Sequence, residues 1–137
     1  MPIHPKEAQL AEMATRPGDE PVVMLNLLRF REQAEAGHGV DGLSGKEAYR
    51  EYGRKFDALH PRFGGTPIWM GKPHAVLIGE EGESWDLAIL VRYPARERFV
   101  AMLADPDYVA IAPLRAAALE DSRLVEMSQL MMAPEKS

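Results

Sequence analysis

The sequence predicts an α+β domain: one four-stranded antiparallel sheet with its helices on one face. Three observations predict it. The 137 residues are one core's worth of chain. After a leading helical stretch, strand-like and helix-like runs follow in the order β-α-β-β-α-β. The polar Glu80–Ser84 segment between the second and third strands is a turn rather than a helix, so those strands pair as a hairpin. Right-handed crossovers then give the ferredoxin-like arrangement.

The elements are justified in order. Pro5 suits a first helical turn, and Leu10, Met13 and Ala14 form a short apolar stripe, so residues 1–20 read as an N-terminal helical extension to a 21–132 core. Val22 to Phe30 is a strand apolar on both faces, followed by a glycine-punctuated loop from Arg31 to Leu43. Ser44-Gly45-Lys46-Glu47 is a capping box that opens a helix with Ala48, Tyr52, Phe56, Leu59 and Phe63 on one face. Gly64-Gly65 stops it. Thr66 to Gly79 reads as a strand interrupted at Pro73, which cannot donate to a ladder and implies an edge or a bulge. Trp85 to Tyr93 alternates cleanly as a strand, and Arg96 to Ala104 is helical with Phe99, Met102 and Leu103 buried. Asp105-Pro106 starts another helix, which Pro113 is expected to break near Ala112, leaving a second piece through Glu120. Arg123 to Met132 is expected as the last strand.

Composition narrows the function classes. Hydrophobic residues are 46% and charged residues 27%, as in an ordinary soluble domain. The chain has no cysteine, which excludes disulfides, thiolate metal sites and a cysteine nucleophile. Sixteen Lys and Arg against 21 Asp and Glu give a net charge of −5, which argues against nucleic-acid and membrane partners. The N-terminus lacks a basic-then-apolar signal pattern, so a cytoplasmic location is expected.

One sheet face is left without helices. Leu90 and Ala88 lie on it with Asp86 and Arg92, and alternation is taken to add Met24 and Leu28 flanking Asn26. A half-apolar face of this size predicts a twofold homodimer with sheets facing across a partly polar pocket. The segments Tyr93-Pro94-Ala95, Asp105-Pro106-Asp107-Tyr108 and Leu114-Arg115-Ala116-Ala117-Ala118, preceded by Gly64-Gly65 and Trp85-Asp86, resemble the DUF1330 family of the dimeric α/β-barrel superfamily. The resemblance spans roughly Val22 to Met132 and implies a dimeric α/β barrel. Superfamily relatives include small monooxygenases, lactone isomerases and haem-handling proteins, so fold alone assigns no reaction. The family usually has Ser where Ala95 stands, and the 31–43 loop is longer than in compact members, long enough to cover a pocket mouth.

Familiar motifs fail on context. Gly37-His38-Gly39-Val40-Asp41-Gly42 spells a dinucleotide fingerprint, yet charged residues separate it from the strand and the helix starts only after Ser44. The four histidines share no ligand spacing, so no metal is expected. No cofactor motif is present, and no cofactor is expected. Trp69, Trp85 and the Tyr49/Tyr52 stripe read as core, with an aromatic wall for a flat ligand as the other use.

The ligand-binding candidates are Asn26, Asp86, Arg92, Tyr108 and Arg115. Asn26 is an amide among aliphatic neighbours that needs a partner. Tyr108 and Arg115 are seven residues apart and align on one helical face. Asp86 is the candidate general acid/base, with Asn26 and Arg92 or Arg115 orienting the substrate. The expected function is a small-molecule-binding protein with its pocket between or beside paired sheets, acting on a small organic substrate if it is an enzyme. A non-catalytic homodimeric assembly module and a small monooxygenase-like enzyme are the alternatives.

Overall fold

A computed structural model describes residues 3–133 of the chain. The element order is α1 (Glu7–Met13), β1 (Val22–Phe30), α2 (Gly45–Asp57), α3 (His60–Phe63), β2 (Thr66–Gly71), β3 (Leu87–Tyr93), α4 (Arg96–Ala104), α5 (Pro106–Ala118) and β4 (Leu119–Met127). The strands form one sheet in the order β2-β3-β1-β4, with every neighbouring pair antiparallel. This is the ferredoxin-like α+β arrangement. None of its helices is long and apolar enough to cross a membrane among the described residues.

Local chemistry explains most boundaries. Ser44 Oγ accepts from the Glu47 amide at 3.1 Å while the Glu47 carboxylate accepts from the Ser44 amide at 3.0 Å, completing the capping box. Gly64, at φ 74°, supplies the left-handed residue that ends α3. Asp105 caps α5 by accepting from the Asp107 amide at 2.9 Å. Ala95 offers α4 no side-chain cap. The turn after α1 replaces it: the carbonyls of Glu20 and Gly18 accept from the Arg96 and Glu97 amides at 2.7 and 2.8 Å.

Four expectations need correction. α5 runs through Pro113 unbroken. Pro113 and Val109, whose carbonyl loses its partner, both lie on the exposed side, where solvent is free to replace the missing bond. Helix therefore passes directly into β4, which starts at Leu119 and ends at Met127 instead of spanning 123–132. β2 stops at Gly71, and residues 72–79 form no strand, leaving Leu77 and Ile78 almost wholly exposed. No residue of the 31–43 loop lines the cavity between the sheet and the helices. The loop is tied down instead: Ala34 and Val40 are buried, and the Glu35 amide donates to the Ala117 carbonyl at 2.9 Å. Its glycines 37, 39 and 42 all have positive φ, so they serve turns rather than a phosphate cradle.

The sheet faces also differ from expectation. Pairing sets Met24 opposite Val91, Asn26 opposite Ile89 and Leu28 opposite Leu87, all beneath the helices. Asn26, Met24 and Leu28 therefore lie on the covered face. The open face carries Val23, Leu25, Leu27 and Arg29 of β1. Register across all four strands aligns Trp69, Leu90, Leu25 and Val125 in one apolar row there. Trp69 is not core: it is 56% exposed on this row.

Candidate functional site

Between the covered face and the helices lies a cavity of about 1040 Å³. Its floor is sheet: Met24, Asn26, Ile89 and Val91, with Ser122, Leu124 and Glu126 of β4. α2 and α5 roof it with Tyr49, Tyr52, Tyr108 and Arg115, and the N-terminal segment closes one side with Ile3, Leu10 and Met13. The aromatic roof follows from helical spacing. Tyr49, Tyr52 and Phe56 step along α2 with ring centroids 5.4 and 5.9 Å apart. Tyr108 crosses from α5 to meet the Tyr52 hydroxyl at 3.0 Å.

The polar groups are mostly donors. Burial pushes the Tyr49 hydroxyl above its ordinary pKa, with Arg115 pulling the other way, and pushes Tyr52 well above. Both stay protonated at neutral pH. Arg115 donates through Nη1 to the Ile3 carbonyl at 3.2 Å, while its Nη2 is buried and meets no acceptor among the described residues. Asn26 is 8% exposed, and its amide nitrogen donates to the Met24 carbonyl at 3.5 Å. At the Glu126 side the charges are matched. Arg16 and Arg96 donate to that carboxylate at 2.5 and 2.6 Å. Burial opposes ionisation of Glu126, and these two arginines outweigh it, so its pKa falls below the ordinary range.

The candidates separate into two places. Asn26, Tyr108 and Arg115 line the cavity together. Asp86 and Arg92 do not. The Asp86 carboxylate accepts from the Phe30 amide at 2.8 Å and its own amide donates to the Leu28 carbonyl at 2.7 Å, so it closes the β1–β3 ladder where β3 begins. Arg92 projects from the exposed face, opposite Val23 and Thr66. Trp85 is buried as expected. Its indole donates to Glu83 at 2.8 Å, and the Arg123 guanidinium lies 5.1 Å from its ring centre. Sequence reasoning missed Arg16, Arg96 and Glu126, which meet only because the turn after α1 folds against β4.

Fold and site together define a ferredoxin-like α+β protein with a cavity between sheet and helices. The chain belongs to the DUF1330 family, a domain of unknown function whose family model matches residues 42–128. It is similar to the Rhodopseudomonas palustris protein RPA0582, a protein of unknown function, at 36% identity and TM-score 0.85, covering 95% of this chain and 98% of that one. More distant likenesses show the fold alone. A hydroxynitrile lyase from Passiflora edulis is 11% identical at TM-score 0.57, over 85% of this chain and 99% of that one. A protein of unknown function from Bacteroides fragilis, described as dimeric and ferredoxin-like, is 14% identical at TM-score 0.50, over 80% and 96%. No curated protein matches the chain.

Proposed function

We propose that this chain is a homodimeric small-molecule-binding protein that holds an organic ligand between its own sheet and helices, oriented by Asn26, Tyr108 and Arg115. The observation that carries the reading is the convergence of hydrogen-bond donors on one apolar-walled cavity of about 1040 Å³, large enough for a ligand of ordinary metabolite size. An assembly module without a ligand calls for a filled interior, and the cavity speaks against it. Donors held protonated suit binding, or polarising an oxygen, better than abstracting a proton.

The open face supports the dimer. Its row of Trp69, Leu90, Leu25 and Val125 is an apolar seam across all four strands, and such a face is stabilised by meeting a second copy. The Bacteroides fragilis protein of similar fold is described as dimeric. Trp69→Glu is expected to weaken self-association by at least about tenfold while leaving the helical signal unchanged, because an exposed aromatic anchors the seam but not the core. Sedimentation velocity checks it. For the whole reading, native mass spectrometry of the freshly purified protein is expected to give a dimer carrying a small organic mass. A monomer without any added mass contradicts it.

A further inference from the structure

Arg115 differs from the other arginines along the cavity, Arg16 and Arg123, which both pair with carboxylates. Arg16 is matched by Glu126 at 2.5 Å, whereas no carboxylate pairs with Arg115 among the described residues. Its Nη2 is buried with no hydrogen-bond partner among the described residues, although the neighbouring Tyr49 hydroxyl interacts with the guanidinium. A buried guanidinium nitrogen left unmatched is unfavourable, and the natural counterpart for its planar fork is a carboxylate. The neighbouring Tyr49 and Tyr52 hydroxyls do not supply the negative charge, since burial keeps them protonated, and the Glu126 carboxylate is already matched by Arg16 and Arg96. They can add donors: of the two hydrogens on the bonded Tyr52–Tyr108 pair, one remains free to donate. Met24, Ile89, Val91, Phe56 and Leu103 give the cavity a long apolar stretch of wall.

Building on the cavity as the ligand site, we propose that its ligand is a monocarboxylate with an apolar body. The carboxylate accepts from Arg115 Nη2 and a neighbouring tyrosine hydroxyl, and the apolar body lies along the sheet floor. The N-terminal segment is the entry side. Arg115 itself fastens this segment through the Ile3 carbonyl. α1 is seven residues long, buries only Met13 and follows Lys6, which gives it no side-chain cap, so lifting it disturbs little of the core.

Octanoate and 1-octanol, matched in chain length and differing in the charged head, test this on the full chain by isothermal titration calorimetry at neutral pH. Octanoate is expected to bind at least about tenfold more tightly than octanol, since a charge-assisted bond separates them. Arg115→Gln is expected to abolish that preference, and Arg115→Lys to retain part of it. Circular dichroism confirms that both variants fold. Octanol binding as tightly as octanoate, or a preference that survives Arg115→Gln, overturns the carboxylate assignment and leaves the cavity reading standing. Binding of neither probe overturns the cavity reading and this assignment with it.

Discussion

Gly45→Ala is expected to destabilise the domain by about 3 kcal/mol or more, enough to remove much of its stability. Gly45 is the first residue of α2 and lies where three segments meet. Its amide donates to the Arg31 carbonyl at 3.0 Å, and the Arg31 amide donates to the Ala118 carbonyl at 2.9 Å. A Cβ at this position would overlap the Arg31 carbonyl oxygen and stand 2.6 Å from that of Ala118. Both obstacles are hydrogen-bonded backbone, so neither can swing aside as a side chain would. The same substitution eight residues on has the opposite sign. Gly53 is inside α2, and an alanine methyl there would meet nothing within 4 Å. Gly53→Ala is therefore expected to stabilise by about 0.5–1 kcal/mol through helix propensity. Chemical denaturation of the two variants side by side checks the pair.

Removing the buried Arg96 cation is the second large effect. Arg96 is 2% exposed. Its Nε donates to Glu126 at 2.6 Å and its Nη1 to the Pro17 carbonyl at 2.5 Å, so it joins α4, the turn after α1 and β4. Arg96→Met leaves a partly buried carboxylate with Arg16 alone and is expected to cost about 3–5 kcal/mol. Adding Glu126→Leu should recover much of that loss, because the charge then left unmatched is gone. The same cluster gives a pH dependence. Glu126 has its folded pKa depressed against the opposing effect of burial. Its contribution is therefore present above the unfolded value, about 4.3 for a glutamate, and is lost as pH falls through the lower folded value. Denaturation midpoints measured downward from pH 5 are expected to fall less steeply for Glu126→Gln than for the parent chain.

Much of the fold was legible because its signals are local. The capping box at Ser44, the alternation from Leu87 to Tyr93 and the Asp105-Pro106 start each involve residues within one or two turns of each other. The faces of β1 were not legible. Val22 to Phe30 is apolar on both sides, so alternation could not choose, and only pairing with β3 and β4 puts Asn26 beneath the helices. Pro113 misled because its penalty depends on exposure of the Val109 carbonyl, which a sequence does not display. In the site, Tyr108 and Arg115 were found through helical spacing. Asp86 was drawn from the same strand pattern, yet its carboxylate meets the Phe30 amide outside the cavity. Arg16, Arg96 and Glu126 lie up to 110 positions apart and had no local signal to reveal them.

The methionines offer the most direct test of where a ligand binds. Met13, Met24, Met70 and Met102 line the cavity, while Met127 and the exposed Met131 and Met132 do not. In a titration of protein carrying ¹³C-methyl methionine with octanoate, the account predicts shifts at Met13, Met24, Met70 and Met102, with Met127, Met131 and Met132 unmoved. Shifts confined to Met127, Met131 and Met132, or none at the cavity methyls at saturating octanoate, would contradict a ligand held between the sheet and the helices.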